Sequence, residues 1–352
     1  MSATTHNRII WIDYVKAMAI TIVVLLHLGI PDPFRTIVRS FVIPLFFVLS
    51  GIFSHPDKYP TWKCFLQNKT FRLFVPYVVF NTITYFYWLV IGRNMGADSV
   101  IFVPWWKPII GTALGLEHWM EHCKPLWFLP CLMVAEVLFY SCYRALKTKS
   151  AWLLLIMLIL FVGGIALSKL QLPPLPYAVG GAMSMILFYY CGYLLNIRTN
   201  GLQKLQDMVS HSTIFWFLSC VVAILGCIWL SLQTTETRVF ENVYGNLLYA
   251  LPAACCGCIG VSTLCILLYK LLPTIKILSY FGTHTMIILA FHLMIASFVK
   301  GFTYFVLHLP LNIYSVLWVK LLFAIVILLL SIPVCYIYDW VQKNGNSAAT
   351  SI

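Results

Sequence analysis

Asp13, Lys16 and His27 stand in one apolar run, Ile12 to Gly29, which reads IDYVKAMAITIVVLLHLG. Ionisable groups are costly inside a bilayer, so three of them in a stretch apolar enough to cross one point to function. Lys16 and His27 are eleven residues apart. At about 100° per residue that is three turns plus roughly 20°, so both side chains leave the same face. Their axial separation is roughly 16 Å, half the hydrocarbon thickness. A cation near one surface is thus aligned with a histidine deep in the membrane. Asp13 lies one turn below Lys16 and can pair with it. A neutral imidazole is tolerable in a membrane and accepts a proton near pH 7, as a general base must. Taken alone, the helix fits equally well a snorkelling lysine and a histidine bonded to a neighbouring helix.

Other residues bear on that choice. Lys69 and Arg72, in NKTFRLFVP, are one turn apart just before an apolar segment. Two cations on one face suit a polyanionic phosphate ligand, although positive-inside anchoring by itself explains most such clusters. Glu136 falls near the middle of a later apolar segment. A lone acid there faces the bundle interior and needs a partner; it can orient His27 or act as a neutral hydrogen-bonding group, and the sequence leaves both open. GTHTMIILAFHL carries His284 and His292, eight residues apart, which share a broad side of a helix rather than one line. His292 is expected near the depth of His27. Lys320, in the last apolar segment, has no evident partner.

The loop from Arg93 to Pro125 holds Trp105, Trp106 and Trp119 and the sequence EHWMEH, with His118 and His122 at i, i+4. The zincin order is absent and no third ligand is evident, so no metal is expected. An interfacial amphipathic helix accounts for the pattern, and a lid whose aromatic faces meet an acceptor is a variant of it. Cys255 and Cys258 form a C-x-x-C inside an apolar run with no second pair, and are read as small packing residues.

The elements that must position these groups are membrane helices. Of 352 residues, 61% are hydrophobic and 10% charged, against about half and a quarter in a soluble domain. The net charge of +12 falls between apolar segments, where it reads as a topology signal rather than a nucleic-acid footprint. Ten apolar segments are expected, near 10–30, 40–54, 73–92, 126–143, 151–167, 179–196, 212–232, 245–269, 277–299 and 313–338. With the N-terminus inside, thirteen Lys/Arg fall inside and eight outside, with Lys16 and Lys320 within spans. The expectation is an all-α polytopic membrane protein, N-in and C-in, with one transmembrane domain over 1–343 and a short cytoplasmic tail over 344–352. In FVIPLFFVLSGIF, Pro44 sits inside the second segment, which marks either a kink or a broken helix lining a polar cavity.

These residues together resemble the membrane acyltransferase 3 family. Its members open with Asp-x-x-Arg/Lys and a histidine further along the same helix, here Asp13, Lys16 and His27. A second helix close to PLFF-x-x-SG corresponds to Pro44–Gly51. A basic pair before the third helix corresponds to Lys69 and Arg72, followed by Pro76. A Leu-Trp-Phe/Tyr-Leu motif corresponds to Leu126–Leu129. A late G-x-x-[ST] stretch ending in a membrane histidine corresponds to Gly282, Thr285 and His292. The five motifs occur in the family's order over nearly the whole chain. Lysine stands at 16 and 69 where arginine is commoner, which exchanges a bidentate phosphate contact for a point charge.

The resemblance is greatest to members described as fucose 4-O-acetylase-like or as the O-acetyltransferase of enterobacterial common antigen. It implies a bacterial inner-membrane O-acetyltransferase taking acetyl-CoA, or another acyl-CoA, from the cytoplasm. The acceptor would be a surface or lipid-linked glycan reached from the outer side. Lys16, Lys69 and Arg72 would hold the CoA phosphates. The pantetheine arm would follow the first helix, bringing the thioester to His27. His27 would be the general base or a transient acyl carrier, with His292 or Glu136 orienting it or stabilising developing charge. Membrane lipid surrounds such a protein; nucleic acid and metal have no place in it. The same spans and intramembrane charges also describe a polysaccharide exporter, although no inverted repeat is visible.

Overall fold

The computed structural model describes residues 9–94, 102–146, 150–170, 173–198, 204, 207, 212–235 and 237–349. Among the charges bearing on orientation, Arg8, Asp98, Lys147, Lys149 and Glu236 lie outside the described residues. Ten helices are long and apolar enough to cross a membrane, as the hydropathy pattern requires.

The first, α1 (Ile10–His27), ends where Gly29 takes a positive φ of 71° ahead of Pro31 and Pro33. α2 spans Phe34–Ile52. It starts well before residue 40, with Pro33 at its N-cap, and the Asp32 carboxylate accepts from the Thr36 hydroxyl at 2.8 Å and from the Arg35 guanidinium across the first turn. α2 is continuous through Pro44, so of the kink and the broken helix that the proline allows, the broken helix is not here. α3 (Trp62–Lys69), capped by Thr61, passes through a π-helical turn at Thr70–Phe74 into α4 (Val75–Val90), making one long span.

α5 (Trp106–Leu114) lies in the following connection. The EHWMEH stretch is not the expected amphipathic helix. It forms a 3-10 turn at Glu117–Trp119 and then an irregular link to a second turn at Lys124–Trp127, so His118 and His122 do not share a helical face. His118 is exposed while His122 is buried. His122 Nε2 lies 2.9 Å from Asn81 Oδ1, which ties the loop to α4.

α6 (Phe128–Leu146), α7 (Ser150–Lys169), α8 (Val179–Arg198), α9 (Thr213–Ser231) and α10 (Leu247–Leu271) follow. The ninth apolar segment is two helices, α11 (Lys276–Thr283) and α12 (Thr285–Phe305), parted at His284. The break lets α11 pack against α1: a Cβ at Gly282 would stand 2.0 Å from the Asp13 carbonyl oxygen, so only glycine permits the approach. α13 (Leu317–Ala349) carries helix through most of the stretch expected as a tail.

α1 and α2 form the centre. α1 contributes to a core with α4, α12 and α13 and to another with α2, α9 and α10, while α2 also joins a core with α6, α7 and α8. α7 and α9 keep long apolar faces exposed, which suits a lipid surround. The C-x-x-C cysteines lie on α10, Cys258 buried with its Sγ 3.8 Å from the Phe41 carbonyl oxygen.

Candidate active site

A cavity of about 1800 Å³ runs the length of α1. Its wall takes Ile10, Asp13, Lys16, Ile20, Val23 and His27 from that helix. Steps of three and four residues are the spacing of a single helical stripe, and the helix is roughly 27 Å long at 1.5 Å per residue. Lys16 and His27 thus open into one space, as their spacing requires. The opposite wall is the matching stripe of α2: Arg39, Val42, Phe46, Leu49 and Ser50.

The end beside the start of α1 is cationic. Lys16, Lys58, Lys69 and Arg72 line it, with His55 and with the acids Asp13 and Glu136. Lys16 Nζ sits 4.3 Å from the centre of the Phe53 ring. Lys69 Nζ lies 3.0 Å from Glu136 Oε2, at ion-pair distance but without hydrogen-bond alignment; the two side chains are 12% and 8% exposed. Lys69 also faces the rings of Phe65 and Tyr59 at 5.7 and 5.9 Å. The partner of Glu136 is therefore Lys69, because a buried carboxylate needs an opposite charge more than a neutral imidazole. Of the two roles left open for Glu136, orienting His27 or acting as a neutral hydrogen-bonding group, the structure shows neither contact among the described residues and places its carboxylate beside Lys69. A side pocket of about 50 Å³ opens around Lys69, Arg72 and Glu136.

Towards the other end of α1, the His27 and His292 rings stand edge to face with centroids 5.0 Å apart. His27 Nδ1 is 2.8 Å from the Val23 carbonyl oxygen, and His292 Nδ1 is 3.0 Å from those of Ile288 and Leu289. A carbonyl only accepts, so both Nδ1 atoms carry the proton and both Nε2 atoms of the neutral rings hold a free lone pair. His292 is 1% exposed and its Nε2 has no hydrogen-bond partner among the described residues. His27 is accessible from the cavity. One histidine therefore meets whatever enters, and the second stands behind it.

His284 is not part of this pair. It lies at the α11–α12 break with Nε2 3.0 Å from Asp339 Oδ2. Lys320 has a partner after all, donating to the Gly29 carbonyl just past the end of α1, where a cation offsets the helix dipole.

Two connections and α2 build the second mouth of the cavity: the second turn of α2 with Arg39, the loop with Glu117, Lys124 and Trp127, and the α9–α10 loop with Thr237, Arg238 and Phe240. Burial pushes the Glu117 carboxyl up to about 7, with Lys124 and Arg39 acting in the opposite direction. None of Arg39, Glu117 and Thr237 was a candidate from sequence. For Arg39 a signal exists: it begins the i, i+3/i+4 stripe that continues through Val42, Phe46 and Leu49.

The family profile described as acyltransferase domain (acyltransferase 3) matches residues 9–340. The chain belongs to the acyltransferase 3 family. The match takes in both walls of the cavity and every helix around it, so this membrane acyltransferase domain is almost the whole chain. No curated protein and no solved structure matches it significantly.

Proposed function

We propose that this acyltransferase 3 protein moves an acetyl, or other acyl, group from acyl-CoA to a hydroxyl of a lipid-linked or cell-surface glycan in a bacterial inner membrane. The observation that carries the proposal is the one cavity along α1 that Lys16, Lys69, Arg72 and the His27 ring all line, the lysines and Arg72 towards the start of the helix and His27 at its end; Arg39, Lys124 and Arg238 line the far mouth. The positive-inside bias supports a cytoplasmic position for the Lys16, Lys69 and Arg72 mouth, where CoA is available. The donor set fits the ligand: several cations around an open space suit its phosphates, and the apolar middle (Ile20, Val23, Phe46) suits an extended pantetheine chain.

In the reaction that follows, His27 Nε2 takes the proton of the acceptor hydroxyl as its oxygen attacks the thioester carbonyl. The C–S bond breaks, and the departing thiolate recovers the proton from the His27 imidazolium. His292, one ring behind, orients His27 through the edge-to-face ring contact. A two-step route through acetyl-His27 uses the same atoms and is distinguished by ping-pong kinetics.

Purified protein in nanodiscs, given labelled acetyl-CoA and a glycan acceptor, tests the proposal. Wild type transfers label, and His27→Ala lowers kcat by ~10²–10⁴-fold, the usual worth of a positioned base. Folded wild type that does not bind acetyl-CoA refutes it. The exporter reading is separated in cells: a His27→Ala strain that still exports the glycan, now unacetylated, is an enzyme mutant.

A further inference from the structure

The second mouth of the cavity is built with more care than a simple opening needs. Gly115 ends α5 in the left-handed region (φ 63°), with Tyr177 packed where its Cβ would stand, and turns the chain back into the Glu117–Trp119 turn. Gly111 lets that turn lie on α5, since a Cβ there would meet the Trp119 backbone at 2.7 Å. Opposite, residues 238–243 close a small hairpin through Arg238 and Val243, whose backbones exchange hydrogen bonds of 2.8 and 3.0 Å. Asn242 fastens it to two helices: its Nδ2 donates to the Gly164 carbonyl at 2.9 Å, and its Oδ1 accepts from the Ser184 hydroxyl at 3.0 Å. Gly181 lets the hairpin sit down on α8, because a Cβ there would be 2.6 Å from the Val239 carbonyl oxygen.

What this scaffold presents is mixed. Trp127 and Phe240, with ring centroids 5.9 Å apart, form an aromatic wall. Thr237 lines the cavity, is 7% exposed, and its hydroxyl has no partner among the described residues. A buried hydroxyl left without a partner is costly unless a ligand supplies one. Glu117 adds a partly buried carboxyl on the same lining. Aromatic faces attract the slightly positive C–H face of a saturated ring, while a carboxylate and a hydroxyl bond its edge. A sugar ring offers an apolar face and several hydroxyls along its edge; an acyl chain offers no hydroxyl and a plain alcohol only one.

We propose that this mouth is a preorganised subsite for one pyranose ring of the acceptor, with Glu117 and Thr237 bonding its hydroxyls and the Trp127–Phe240 wall packing on its apolar face. The inference rests on the glycan-acylation reading above. It places acceptor recognition on two fixed connections rather than on the catalytic helices. The groups acting on the Glu117 carboxyl are Lys124, Glu121, Glu241 and Arg39, and burial outweighs them, holding it near 7. Above that pH it is a carboxylate and the stronger acceptor for sugar hydroxyls, so affinity rises with pH through neutrality.

The test reads binding without turnover. Saturation-transfer NMR on nanodisc protein uses methyl glucopyranoside, methyl galactopyranoside and methyl mannopyranoside as probes, with cyclohexanol as the non-sugar control. At least one glycoside should receive saturation at its ring protons and cyclohexanol none. Glu117→Gln and Thr237→Val should each weaken that glycoside about tenfold, the worth of one good hydrogen bond to a buried group. Glu117→Gln should also flatten the pH dependence. Acetyl-CoA affinity, measured in parallel, checks that each variant is folded. The subsite is overturned if no glycoside binds, if cyclohexanol competes equally, or if both variants bind sugar as wild type does. Sugar binding by protein that ignores acetyl-CoA would keep the subsite and reject the acyltransfer reading instead.

Discussion

Lys69 and Glu136 form a buried pair whose removal can be worked through in both directions. With side chains 12% and 8% exposed and 3.0 Å between the charges, neither ion regains its hydration when the other is deleted. Lys69→Met leaves the carboxylate with Arg72 as the cation beside it, and Glu136→Gln leaves the ammonium against the quadrupoles of Phe65 and Tyr59. Losing one partner of a buried pair costs ~3–5 kcal/mol, whereas replacing both with apolar groups is often nearly neutral. Aromatic contact offsets ~0.5–1 kcal/mol of this for Lys69 and the Arg72 charge offsets part of it for Glu136, so the two single changes are expected to cost similar amounts. The double variant Lys69→Met/Glu136→Leu should return to within ~1 kcal/mol of wild type. The assay is denaturant unfolding in mixed micelles, closed as a double-mutant cycle. Independent sites add to within ~0.5 kcal/mol; additivity at that level would refute the pairing and restore Glu136 as a candidate partner of His27.

Three further outcomes are expected. His292→Ala should lower kcat by ~10–100-fold with little change in the acetyl-CoA KM, since His292 stands behind His27 and not among the cations; steady-state kinetics check it. His122 is held neutral, its proton on Nε2 against Asn81 and its buried Nδ1 without a partner among the described residues, and burial lowers it to about 4. The unfolded chain therefore takes up a proton that the folded one refuses as pH falls from 6.5 towards 4, and stability drops over that window by ~3 kcal/mol; melting against pH should show the loss, and His122→Gln should lessen it. Gly282→Ala places a methyl against the Asp13 carbonyl oxygen and should cost ~1–3 kcal/mol in unfolding measurements.

The helices and the central alignment are legible in the sequence because they are periodic. Apolar runs of membrane length identify the ten spans, and eleven residues between Lys16 and His27 place both on one stripe of α1. The breaks are less legible. Pro44 advertises an interruption, yet α2 continues through it; the actual break is at His284, where Gly282 brings α11 against α1 and no proline is present. Partner choice is hidden as well. Glu136 and Lys69, or His284 and Asp339, meet only through helix packing between distant segments. The second mouth escapes sequence reading for the same reason: Arg39 comes from α2 and Glu117 and Thr237 from two distant connections, and only the fold brings them to one cavity.

The central claim is that one cavity holds the phosphates of acyl-CoA at Lys69 and Arg72 and its thioester near His27. Calorimetric titration of nanodisc protein with a non-transferable acetyl-CoA analogue, a ketone in place of the thioester, tests it most directly. His27→Ala should bind the analogue as wild type does while transferring nothing from acetyl-CoA. Lys69→Ala/Arg72→Ala should lose ~10–100-fold in affinity, as expected when charge-assisted contacts are removed. Equal affinity in wild type and the double variant, or no binding by folded wild type, would contradict the account.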